Sequence, residues 1–169
     1  FAFEGAENSG AAFRASLPAR RLGDYVLVVE PEPYFEEAEG AFIQQFAKSY
    51  VNRGGLPTDW AEPQGLPTEI VPLNRPTNIV AGSTFTGRVL SAGEPAPLIE
   101  EGRAAEPTSG PPPGGAIVAI SDADGYFTFG VPKAGFWGFA ALGAGPETEH
   151  AGAPLSQDAV LWIRAYGME

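Results

Sequence analysis

The chain lacks cysteine, has one histidine among its 169 residues, and does not open on Met. It also lacks any apolar run near the ~20 residues that a membrane-spanning helix needs. The absence of cysteine excludes disulfides, thiolate metal sites and cysteine nucleophiles, but leaves the compartment open. With one imidazole, a catalytic triad could use only His150, and no Gly-x-Ser-x-Gly elbow or Gly-rich phosphate loop accompanies it. Carboxylates are plentiful, yet no aromatic-lined cleft marks two of them as a glycosidase pair. These gaps lead us to expect a protein that is not an enzyme. Basic residues are also scarce, 10 against 21 acidic ones, for a net charge of −11. Such a surface repels phosphate backbones, so nucleic acid is not expected as a partner.

Glycine and proline are abundant, 22 and 17 residues. They punctuate short runs rich in Val, Ile, Phe and Trp, so they read as turns in a folded chain. The clearest strand is Gly23-Asp24-Tyr25-Val26-Leu27-Val28-Val29-Glu30, closed by Pro31 and Pro33. Phe13, Ala15 and Leu17 alternate with polar residues and predict a strand ended by Pro18. Residues 34–40 read as an acidic loop. In 41–51, Phe42, Phe46 and Tyr50 fit helical spacing, whereas Gln44, Phe46, Lys48 and Tyr50 fit one face of a strand. The β-rich surroundings favour the strand. Further strands are expected at 69–73, 84–90, 115–121, 126–131, 135–142 and 159–165, with long loops at 101–114 and 143–154.

This pattern predicts an all-β protein, an antiparallel β-sandwich of immunoglobulin-like or transthyretin-like type. We expect two units: 1–60 as a first, truncated sandwich, 61–67 as linker, and 68–169 as a second domain. Trp60 is expected to anchor the connector. Tyr25, Val26, Val28, Phe127, Phe129, Trp137 and Trp162 are the expected buried strand residues. The chain opens at Phe1 in a strand-like pattern and is read as a mature or truncated form without its export signal.

Asp122-Ala123-Asp124-Gly125 shares its opening with a calcium loop but lacks the later ligands, including the glutamate at the twelfth position. Asp-Gly between two alternating runs instead signals a hairpin, with Gly125 at positive φ. Gly93-Glu94-Pro95 marks a second turn. The best metal-ligating candidates are His150, Glu147, Glu149 and Asp158, one imidazole with nearby carboxylates. That donor set suits Ni²⁺ or Co²⁺, although a lone histidine on an acidic loop is more often simply solvated.

Several of these segments occur in an order that resembles a known family. They are Gly23 to Pro31, Leu66-Pro67-Thr68-Glu69-Ile70-Val71-Pro72-Leu73, Gly93-Glu94-Pro95 and Asp124-Gly125-Tyr126-Phe127. Pro132-Lys133-Ala134-Gly135-Phe136-Trp137 and Gln157-Asp158-Ala159-Val160-Leu161-Trp162-Ile163-Arg164 complete the set. Together they are similar to the NikM-like domain of unknown function. The resemblance implies a periplasmic, non-enzymatic accessory of cobalt/nickel uptake that works with membrane metal-transport subunits. It also implies metal-serving histidines near the mature N-terminus, and this chain has none there. The Pro-rich stretch 106–115 departs from the expected pattern as well. The alternative expectation is a cell-envelope module that binds protein or carbohydrate without a metal role.

Overall fold

The computed structural model describes residues 2–4, 9–97, 100–105 and 117–168. Among them there is no helix, so none is long and apolar enough to cross a membrane. The strands are β1 (Ala2–Glu4), β2 (Ser9–Ala11), β3 (Gly23–Val29), β4 (Tyr34–Glu36), β5 (Ala41–Arg53), β6 (Thr68–Pro72), β7 (Ile79–Val80) and β8 (Ser83–Ser91). They continue with β9 (Glu94–Pro95), β10 (Glu100–Ala105), β11 (Ile117–Ile120), β12 (Tyr126–Val131), β13 (Gly135–Ala141), β14 (Thr148–His150) and β15 (Ala153–Tyr166). A large sheet runs β11-β10-β13-β15-β5-β3, with β4, β7 and β14 attached at its margins. A small sheet runs β12-β8-β6, with β9 on β8. β1 and β2 pair apart from both.

The protein is therefore an all-β sandwich. Period-2 alternation builds the layer between its sheets. Ile70, Phe85, Val89, Phe127, Phe129 and Val131 of the small sheet meet Trp137, Phe139, Ala141, Ala159, Leu161 and Ile163 of the large one. Phe139 sits at the centre, stacked on Phe85 across the layer with centroids 4.6 Å apart. Gly87 leaves room for this packing: a Cβ there would lie 2.7 Å from the Phe127 ring.

Several details depart from expectation. The large sheet is mixed, because β5 and β15 pair in parallel from Leu155↔Phe42 to Trp162↔Ser49. That pairing also joins the expected first unit to the expected second, so residues 61–67 do not separate two sheets. Phe13 and Leu17 lie in no strand and are exposed. The 34–40 segment carries the short strand β4 before its turn, and β10 occupies the start of the expected 101–114 loop. Residues 106–114 of that loop and 115–116 of an expected strand lie outside the described residues.

Trp162 was expected to be buried, yet it is 38% exposed, because Leu161, Ile163 and Ala165 take the inward positions of β15. Tyr25, Val26 and Val28 are only half-buried, as β3 is an edge strand; Phe127, Phe129 and Trp137 are buried.

Gly125 has φ +79° as expected, but its turn joins β11 of one sheet to β12 of the other, so it is a corner between sheets and not a hairpin. Asp122 builds that corner, its Oδ1 accepting from the backbone N–H groups of Asp124 (2.9 Å) and Tyr126 (2.8 Å). The turn before Gly93-Glu94-Pro95 is a true hairpin: Ala92 and Gly93, both at positive φ, link β8 to β9.

One polar contact crosses the core. Lys48 of β5 and Glu69 of β6 face each other between the sheets at 2.6 Å, their side chains 1% and 2% exposed. Glu69 also accepts from the backbone N–H groups of Gln64 and Gly65 (2.9 Å each), which satisfies its remaining lone pairs. Burial pushes the Lys48 ammonium below its usual pKa, while Glu69 partly offsets this.

Candidate functional site

The predicted metal-ligating residues do not converge. His150 ends β14, which folds back on β15 through Ala151 and Gly152, both at positive φ, so this part of the expected loop is a two-residue hairpin. Thr148 and His150 share one strand face and Glu149 takes the other. Glu147, Glu149 and His150 are all exposed. The imidazole packs edge-on against Phe42, with centroids 4.7 Å apart, and Phe42 in turn packs against Phe35 at 5.1 Å.

Asp158 is elsewhere. It is 5% exposed, and both of its oxygens are engaged, by Gly143 N–H at 2.8 Å and Gln45 Nε2 at 3.0 Å. His150 pairs with Ala153, so Asp158 lies five residues further along β15, about 16 Å at strand spacing. Its carboxylate fastens the 143 turn to β15 and β5. Among the described residues no three His, Cys, Asp or Glu side chains gather as a metal site.

A different site forms where β5 and β15 end side by side. There the segment between β6 and β7 and the start of β13 enclose a cleft of about 610 Å³. Its wall includes Ser49, Tyr50, Arg75, Thr77, Asn78, Phe136, Arg164 and Tyr166, and among the described residues no carboxylate lines it. This volume lies in the range of small-ligand pockets.

The inner wall is held by Asp24, whose side chain is 1% exposed. Its Oδ1 accepts from Asn52 Nδ2 (2.7 Å) and Thr77 Oγ1 (3.3 Å), and its Oδ2 accepts from Thr58 N–H (2.8 Å). Arg75 Nη2 stands 3.7 Å from the same carboxylate. One buried anion thus fixes the 75–78 segment against β3 and β5. Arg75 Nε and the Tyr50 hydroxyl are buried without a hydrogen-bond partner. Burial, aided by the Glu69 charge, raises the Tyr50 pKa above its usual value, so the phenol keeps its proton.

The outer wall is aromatic. Phe136 lies directly opposite Arg164, whose guanidinium sits 5.8 Å from the Phe136 ring centre and 5.2 Å from that of Tyr166. Next along β15, the Trp162 ring covers Gly138, where a Cβ would lie 3.0 Å from Cη2. Phe136, Trp162 and Tyr166 are 48%, 38% and 45% exposed, so they present aromatic surface beside a cation.

A smaller depression of about 330 Å³ on the small sheet is lined by Trp60, Val71, Pro72, Leu73, Arg88 and Tyr126 among others. Trp60 of the connector lines this depression beside the small sheet.

Sequence reasoning missed the cleft because its residues come from four separate segments. One signal was present: in Trp162-Ile163-Arg164-Ala165-Tyr166 the aromatic and cationic residues occupy one face and the small apolar ones the other.

The family described as a domain of unknown function, DUF4198, matches residues 1–145, and the chain belongs to that family. Neither the curated proteins nor the solved structures contain a match.

Proposed function

We propose that this DUF4198 member is a non-enzymatic ligand-binding sandwich of the cell envelope, taking its ligand in the cleft at the ends of β5 and β15. The cleft itself carries the reading. It combines aromatic faces, guanidinium groups, a side-chain amide and hydroxyls on a wall that Asp24 holds in place. Such groups recognise and orient a ligand. Among the described residues the lining offers no carboxylate, imidazole or thiol that would move a proton or form a bond, which favours binding over catalysis. The periplasmic placement rests on the family resemblance of the sequence.

The test is a backbone-amide NMR titration with a panel of saccharides and short peptides. Binders should shift the amides of 49–52, 75–78, 136 and 164–166. Binders that all map elsewhere overturn the assignment.

A second reading keeps the module as an accessory of cobalt/nickel uptake, partnered by membrane transport subunits. The exposed imidazole of His150, with the exposed Glu147 three residues before it, favours it. Because Asp158 is committed to Gly143 and Gln45, any Ni²⁺ or Co²⁺ would be held by that hairpin alone, and weakly.

A further inference from the structure

Resting on the binding-module reading, we infer that the cleft takes an acidic saccharide, its carboxylate on Arg164 and a sugar ring against the Phe136 and Tyr166 faces. Among the described residues the Arg164 guanidinium has no hydrogen-bond or ion-pair partner, and it lies against the rings of Phe136 and Tyr166. Rings on its flanks restrain a guanidinium while leaving N–H groups for an incoming anion, and the planar fork matches a carboxylate in two-point geometry.

The rest of the wall agrees. Carboxylates are kept off the cleft lining even though the net charge is −11. Across the cleft Arg75 adds a second cation, whose partner Asp24 is 3.7 Å away and already accepts three other hydrogen bonds. The exposed aromatic faces suit the C–H face of a pyranose. Ser49, Thr77 and Asn78 place hydroxyl and amide groups along the same wall for ring hydroxyls.

The experiment compares trigalacturonate, its fully methyl-esterified form and acetate by calorimetry and amide NMR on the whole chain. The inference expects trigalacturonate to shift the amides of 49–52, 75–78, 136 and 164–166. It should bind about tenfold or more tightly than either control, and more weakly as salt rises. Arg164→Gln should remove that preference for the acid over the ester, and Arg164→Lys should restore only part of it. Tyr166→Ala should weaken both saccharides. Melting temperatures confirm that each variant is folded. Equal binding of acid and ester, equal binding of acetate, or no trigalacturonate binding overturns the inference. The ester or another neutral ligand binding in the cleft would still leave the binding-module reading standing, whereas ligands bound only outside it would remove both.

Discussion

Replacing Lys48 by Met removes one half of an ion pair that spans the sandwich. The pair is 2.6 Å long, and its side chains are 1% and 2% exposed. Met fills much of the lysine volume, so the main loss is electrostatic: Glu69 stays between the sheets without its counter-charge. Breaking a buried pair from one side costs about 3–5 kcal/mol. Glu69 keeps its bonds from Gln64 and Gly65, which places the expected loss near the lower end, about 3 kcal/mol. For a chain of this size that is a fall in Tm of roughly 6–12 °C.

The assay is urea unfolding of Lys48→Met, Glu69→Gln and the double variant. The double variant should be more stable than Lys48→Met alone by about 1 kcal/mol or more, since it no longer buries an unpaired charge. The pH dependence gives an independent check. The folded-state pKa of Lys48 is lowered below the 10.5 of the free side chain, so between the two values the unfolded chain binds more protons. Stability should therefore rise as pH climbs through that window, and Lys48→Met should lose the rise. Tyr50 acts oppositely: its pKa is raised, so above about pH 10 the unfolded chain sheds a proton that the folded one keeps, and stability falls in both proteins. A Lys48→Met loss below about 1 kcal/mol, with additive single variants, would refute a buried, coupled pair.

Gly125→Ala should cost about 2 kcal/mol or more in chemical denaturation, because φ is +79° and the new Cβ would lie 2.6 Å from the Val89 carbonyl oxygen. Trp162→Ala should shift stability by about 1 kcal/mol or less, since the ring is 38% exposed, and its circular-dichroism melt should stay close to that of the parent. His150→Ala should leave the fold intact. If the uptake reading holds, it should also weaken Ni²⁺ and Co²⁺ binding measured by calorimetry, and unchanged tight binding would place the metal elsewhere.

The strand pattern was legible because alternation and turn chemistry are local. Tyr126–Val131 is observed with the expected bounds, and Gly135–Ala141 with one residue fewer. Long-range pairing was not legible. Nothing in Phe42–Ser49 declares a parallel partner in Leu155–Trp162, and Asp-Gly alone cannot distinguish a hairpin from a corner between sheets. Strand parity also decided between candidates that composition could not rank. It turned Lys48 inward with Phe46, and Trp162 outward with Arg164. The four metal candidates are spread apart for a related reason. Closeness in sequence suggested that His150 and Asp158 act together, but an extended strand carries them apart, and Asp158 is used to fasten a turn.

The parallel pairing of β5 with β15 also orders events in time. Gln45 and Asp158, hydrogen-bonded across that seam, are 113 positions apart, so the large sheet cannot close until β15 has been synthesised. Closing so long a loop is slow compared with forming local hairpins such as β8–β9. A nascent chain therefore holds one edge of β5 unpaired until β15 arrives, and a chain truncated before β15 would keep that edge unpaired.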